Sequence, residues 1–175
     1  PFARGGVPSI KTADITPVLK KYTESALTGS RITCRYEIAD DLWPGDFDEN
    51  QIGQVIYNLV SNSRDFTDAG GGIVVRAVNA APGELPDHAG DGRYIRISVI
   101  DSGKGIQPDI LPYIFDPFYS TKKKGNGLGL STSYSIIQRH GGMLEVEPLP
   151  EGGTMAWFCL PASSEPVMAM PEGDS

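Results

Sequence analysis

Apolar residues recur along this chain with two periods, and segments of one period alternate with segments of the other. After Asp48, the positions Ile52, Val55, Ile56, Leu59 and Val60 follow the i, i+3, i+4, i+7, i+8 spacing of a helix with one buried face. Asp48 is a residue type that caps such a helix. Asp14 is placed to cap a shorter one running to about Leu27, with Pro17 in its first turn. A third helix is expected from Leu128 to His140, ended by Gly141 and Gly142. Strands are expected at Ser9 to Ala13, Ile32 to Ile38, Ile73 to Val78, Tyr94 to Ile100, Met143 to Val146 and Thr154 to Leu160. Ile73 to Val78 and Tyr94 to Ile100 flank a loop rich in Pro, Gly and Asp, and should pair as a hairpin. With helices falling on a single face, the expected fold is α/β: a two-layer sandwich with a mixed, mostly antiparallel sheet.

Chemistry concentrates where the pattern is interrupted. Two glycine clusters, Asp101-Ser-Gly-Lys-Gly-Ile106 and Gly125-Asn-Gly-Leu-Gly-Leu130, frame a segment with a carboxylate at one end. Gly103 and Gly105 lack the Cβ that would hold a ligand off the backbone. Gly125, Gly127 and Gly129 leave consecutive amides free to turn toward phosphate ahead of a helix. The layout suggests a flexible lid over a nucleotide. Upstream, Asn58 and Asn62 stand one helical turn apart beside the apolar stripe, so both amides can face one ligand. Asp101 ends the apolar run Ile95 to Ile100, and an acceptor at that sheet edge suits an exocyclic amine. An Asp-Ser-Gly turn would also favour aspartate there.

Taken in order, these segments resemble the catalytic and ATP-binding domain of sensor histidine kinases, in the superfamily that also holds gyrase, the heat-shock chaperone ATPases and the mismatch-repair ATPases. Asn58 to Asp65 is similar to the N box and Asp101 to Gly105 to the first glycine box. Phe115-Asp-Pro-Phe-Tyr-Ser-Thr-Lys122 is similar to the F box, and Gly125 to Leu130 to the second glycine box. Gly152-Gly-Thr-Met-Ala-Trp-Phe-Cys-Leu-Pro161 resembles the closing strand.

The resemblance implies ATP and Mg²⁺ as cofactors. It implies that Asn62 coordinates the ion, that Asp101 accepts from adenine N6, and that Thr154 shares a water with that pair. It further implies that Gly103, Gly105, Ile106, Phe118, Gly125, Gly127, Leu128, Gly129 and Leu130 hold the nucleotide, and that Lys122 faces phosphate. Phe115 and Phe118 are the residue types that anchor a loop by packing. Asp65 occupies a place where some relatives carry a lysine, and Arg64 points elsewhere on its helix. Relatives that cycle mechanically on ATP typically carry Glu at the position of Asn58. An amide cannot take a proton from water, so transfer to a histidine on an adjacent domain is favoured over hydrolysis.

Composition narrows the alternatives. The chain has 175 residues of which 39% are apolar, enough for one core. A formal charge of -7 argues against nucleic acid, since Lys122 to Lys124 is the only dense basic run. Cys34 and Cys159 both sit in strand-like apolar runs and read as buried reduced thiols. No stretch approaches the roughly 20 apolar residues that cross a bilayer, and the cytoplasm is the expected location, whether or not the parent protein is membrane-anchored. His140, at a helix C-terminus, is placed to gain from the macrodipole, while His88 lies in an acidic loop. Neither resembles a phospho-acceptor.

Residues 1–8 resemble the exit of a preceding dimerisation and phosphotransfer helix, 9–161 form the catalytic domain, and 162–175 have linker composition. The implied partners are the chain's own dimerisation and histidine-phosphotransfer domain and a response-regulator receiver domain, in a homodimeric parent. A mechanical ATPase and a non-enzymatic nucleotide sensor remain as alternatives, whereas a serine-kinase switch protein, which shares the fold, is disfavoured by the helix exit expected at Phe2 to Pro8. P-loop and eukaryotic-kinase readings fail, because neither glycine motif occurs.

Overall fold

The structure is a computed structural model and describes residues 6–81, 83–85, 92–103, 109–115 and 130–163. Its main sheet has five strands: β2 (Thr33–Ile38), β4 (Gly72–Ala80), β5 (Tyr94–Asp101), β7 (Thr154–Pro161) and β6 (Met143–Pro148), in the order β2-β4-β5-β7-β6. Only β2 and β4 run parallel. The expected hairpin is present, with Ile73 opposite Asp101 and Ala80 opposite Tyr94. Three helices, α1 (Thr16–Leu27), α2 (Glu49–Phe66) and α3 (Leu130–Arg139), pack on one face of the sheet. A two-layer α/β sandwich is the result.

Period decides what is buried. Ile73, Val75 and Ala77 of β4, Ile95, Ile97 and Val99 of β5, and Ala156, Phe158 and Leu160 of β7 alternate onto the helical face. There they meet the whole expected α2 stripe, Ile52, Val55, Ile56, Leu59 and Val60. On the other face Met143, Trp157 and Cys159 form a smaller cluster, against which Leu85, Tyr94 and Met155 pack. The Arg96 guanidinium lies 4.3 Å over the Trp157 ring, and Trp157 Nε1 donates to Glu147 at 2.7 Å. Cys159 is buried as expected, whereas Cys34, near the edge of the sheet on β2, is only half-buried.

Helix ends follow local chemistry. Asp48 is the N-cap of α2 and accepts from Asn50 N at 3.0 Å and Gln51 N at 3.1 Å. In α1 the cap position falls on Ile15, one residue later than expected, while the Asp14 carboxylate still accepts from Thr16 N at 2.9 Å. At the other end of α1, Arg64 of α2 donates to the carbonyls of Ala26 and Thr28, supplying the cation that the last turn of α1 lacks. Gly141, at φ +77°, ends α3 as expected. Residues 128 and 129, expected to begin that helix, lie outside the described residues.

A second sheet pairs β1 (Lys11–Ala13) with β3 (Gly45–Phe47). The sequence pattern did not predict β3. Three residues are too few to show alternation, and Pro44-Gly45 reads as a turn. Tertiary contacts make the strand instead: Thr12 Oγ1 donates to Asp46 at 2.6 Å, and Phe47 is buried. Ala162 bridges to Gly45 and Ser163 N donates to Pro44 O, so packing continues two residues into the segment expected to be linker.

Asp48 also joins three parts of the chain. Its second oxygen accepts from Ser9 N at 2.8 Å, and its own N–H donates to Nε2 of His140 at 3.0 Å. Nδ1 of His140 lies 2.8 Å from Ile136 O, so Nδ1 carries the proton and the ring is neutral. The ring thus meets the C-terminal end of α3, as expected, through a hydrogen bond to the Ile136 carbonyl. Burial lowers the His140 pKa below its ordinary 6.5, outweighing the Ile136 carbonyl and the Asp48 carboxylate. For Asp48, burial pushes upward, but the Ser9, Gln51 and Asn50 amides together with His140 hold it below its ordinary 3.8.

Because the unfolded chain takes up a proton at His140 before the folded one does, that stability is complete above about pH 6.5 and is lost as pH falls below it. Asp48 acts only near and below its ordinary 3.8, so the two windows are separate. His140 should therefore pull the thermal midpoint down between pH 7 and pH 5, whereas Asp101, whose carboxyl is held above its ordinary 3.8 by burial, adds stability as pH falls. His140→Gln, which has an amide but no proton to gain, should flatten that decline in thermal melts across the range.

Candidate functional site

Where α2 ends, β5 ends, β7 begins and α3 begins, their side chains close around a small cavity. Leu59, Asn62, Ser63 and Phe66 come from α2, Asp101 from β5 and Leu130 from the first turn of α3. Val146 of β6 with Thr154 and Ala156 of β7 completes the wall. The space between them, partly open to solvent, is about 20 Å³, room for a single water.

Asp101 is the unusual member, a carboxylate only 3% exposed among apolar side chains. Burial raises its pKa above the ordinary 3.8, opposed by the Gly103 N–H, the Ser63 side chain and the Thr154 N–H. The Gly103 contact, 3.1 Å to Oδ1, closes the Asp-Ser-Gly turn that the sequence allowed. The carboxylate is also tied to α2 through the Ser63 side chain, which the sequence did not reveal, and to β7 through the Thr154 N–H. Thr154, directly opposite Asp101 in the ladder, is also buried.

The expected residues separate into groups. Asn62, Asp101, Leu130 and Thr154 line one cavity. Asn58 is not among the residues lining it, and its Nδ2 lies 3.4 Å from Ser133 Oγ of α3. Phe115 packs against the core and its ring lies 5.4 Å from that of Tyr134, in keeping with an anchoring role. Gly105, Ile106, Phe118, Lys122, Gly125, Gly127, Leu128 and Gly129 lie outside the described residues, as does His88.

Gly103 is small for a reason the sequence did not suggest. A Cβ there would stand 1.8 Å from the Phe66 carbonyl oxygen, so the end of α2 already occupies the space. Ser63 was missed as well. It continues the α2 stripe by one step beyond Leu59 and Val60, a hydroxyl at a position where the pattern demands an apolar residue. Ser133 interrupts the α3 stripe in the same way and is fully buried.

The family described as histidine kinase-, DNA gyrase B-, and HSP90-like ATPase matches residues 47–164, which includes every element bordering the cavity. The chain belongs to this family. Among curated relatives, it is 35% identical to the sensor kinase CckA of Brucella abortus over 168 residues, covering 91% of this chain and 18% of that protein. With the sensory histidine kinase/phosphatase NtrB of Rhodobacter capsulatus it shares 33% over 160 residues, covering 89% of this chain and 45% of that one. The chain thus spans less than half the length of either.

Among solved structures, the catalytic domain of the histidine kinase ThkA aligns with a TM-score of 0.73 at 26% identity, covering 88% of this chain and 96% of that one. Full-length ShkA in complex with AMPPNP aligns with a TM-score of 0.71, also at 26% identity, covering 91% of this chain and 32% of that one.

Gly103→Ala should drive a methyl into the α2 backbone and destabilise the fold by about 2 kcal/mol or more, measured by urea denaturation. A loss under about 0.5 kcal/mol would mean that the turn relaxes freely and that α2 does not constrain it.

Proposed function

We propose that the chain binds Mg-ATP at the Asp101 cavity and donates the γ-phosphate to a histidine on an adjoining phosphotransfer domain, as the catalytic part of a two-component sensor kinase. The observation that carries this reading is the buried Asp101 carboxylate, held beside Thr154 at the base of a cavity with apolar walls. A carboxylate kept from water at such a place costs stability that its Gly103, Ser63 and Thr154 partners only partly offset, and it complements an exocyclic amine such as adenine N6. The bound AMPPNP of the ShkA structure supports a nucleotide as that ligand.

Asn62 fits a Mg²⁺ ion by the chemistry of its donor. Among the described residues, no group of three His, Cys, Asp or Glu side chains could hold a metal by itself. A neutral amide oxygen suits an ion that arrives with the phosphates and keeps several waters. When bound, the ion would neutralise phosphate charge. Asn58 has no basic atom with which to activate water, and it faces Ser133. The site is therefore better suited to positioning ATP for a stronger nucleophile, a neutral imidazole, than to hydrolysis.

The relatives named as a sensor kinase and a sensory histidine kinase/phosphatase support a two-component role. That role takes a phosphotransfer domain of the same protein as acceptor, a response-regulator receiver domain downstream, and a homodimeric parent. Among the described residues, no helix is long and apolar enough to cross a membrane. A cytoplasmic location is in keeping with this.

Asp101→Asn keeps an acceptor for the Gly103 turn but loses the charge. It should weaken ATP binding by roughly 10- to 100-fold in calorimetry, the equivalent of about 1.5 to 3 kcal/mol, with an unchanged circular dichroism spectrum. Asn62→Ala should instead abolish the rise of affinity with Mg²⁺; an unaltered rise would refute the metal role. The chain alone should hydrolyse ATP slowly and take no label from γ-labelled ATP. Joined to its native phosphotransfer domain, it should yield acid-labile, base-stable label. Rapid hydrolysis by the chain alone would favour a mechanical ATPase, and tight ATP binding without any transfer would favour a nucleotide sensor.

A further inference from the structure

β6 ends the main sheet, and the direction of its free hydrogen-bonding groups can be followed from its neighbours. Ala162 N donates to Arg93 O, so the even-numbered residues of β7 exchange hydrogen bonds with β5 and the odd-numbered ones with β6. The Leu149 N to Gly153 O bond at the β6–β7 turn has the same parity. Met143, Glu145 and Glu147 therefore bond to β7, while the N–H and C=O groups of Leu144 and Val146 point away from it. Among the described residues, no backbone group outside the sheet bonds to them. A strand edge presented in this way is a template for another strand.

Two further features indicate what would fit. A cavity of about 160 Å³ adjoins the first half of β6, with Tyr134 and Gln138 of α3 on one side and Tyr94 and Cys159 on the other. It is distinct from the Asp101 cavity and roomy enough for a side chain. Glu145 and Glu147 both stand on the outer face of β6. Glu147 accepts from Trp157 Nε1, Glu145 is in no side-chain hydrogen bond among the described residues, and neither is in an ion pair among them. A second copy of this chain would bring the same acidic edge alongside these carboxylates, in a molecule already carrying -7.

We propose that the free edge of β6 docks an extended segment of a partner protein with Lys or Arg at alternate positions, which joins the sheet as a further strand. Its basic residues lie opposite Glu145 and Glu147 on the outer face. The residues between them are apolar and face α3, where one enters the cavity. Leu144 and Val146 supply the backbone pairing, so the site reads extended shape and charge pattern together.

The test uses the ¹⁵N-labelled full chain and the capped peptide Lys-Val-Lys-Val-Lys-Val-Lys. In the free chain the Leu144 and Val146 amides should exchange with solvent fastest in β6. Saturating peptide should slow both by roughly tenfold and shift their resonances. Glu145→Lys should weaken binding by roughly tenfold without altering the spectrum elsewhere. The same peptide N-methylated at every amide should give no protection. Equal binding by the N-methylated peptide, or by one with Glu in place of Lys, would overturn the proposal. So would slow exchange of both amides before any peptide is added, which would mean that another part of this chain, or a second copy detected by sedimentation, already covers the edge.

Discussion

The packing of one face of α2 on the sheet is the constraint from which the rest of the architecture follows. Ile52, Val55 and Ile56 are fully buried and Leu59 nearly so, each contributing about 1.5 to 3 kcal/mol when removed from water. Burying that face fixes the rotation of the helix about its axis. With the rotation fixed, Ser63 meets Asp101, Asn62 reaches the cavity wall, Asn58 turns to Ser133 and Arg64 reaches the end of α1. Polar groups within the apolar face and on both its flanks are thus placed by the packing of that face.

The cavity shows the opposing demands of stability and chemistry. A buried carboxylate is costly, and the fold keeps it by surrounding it with the Gly103 and Thr154 amides and the Ser63 hydroxyl. The balance still leaves its pKa raised, so desolvation outweighs the hydrogen bonds. A hydrophobic side chain would fill the same space at lower cost. Such a compromise between burial and polarity is typical of positions retained for binding.

Much of this was legible in the residues. The α2 stripe, its Asp48 cap, the β4–β5 hairpin and the glycine stop after α3 each carry a local signal of spacing or residue type, and each is present. Asp101, Asn62 and Thr154 were singled out from the sequence and converge on one cavity. What local patterns could not convey is contact across the fold. β3 exists because β1 and the end of β7 hold it, and Gly103 is small because α2 ends against it. His140 is neutral because the Asp48 amide, distant in sequence, needs an acceptor. The partner order of the strands is likewise absent from any single segment.

The three-way junction at Asp48 has a mechanical meaning. The segment entering the domain is tied to it twice, through Ser9 N to the Asp48 carboxylate and through the Gly6 carbonyl to Gln51 Nε2. Tension along that segment is therefore applied directly to the first turn of α2, without passing through the sheet. The helix that carries Asn62 at its far end then acts as a stiff rod with its handle at Asp48. The His140 ring, clamped between that handle and the last turn of α3, makes the two helices resist such a load as one body.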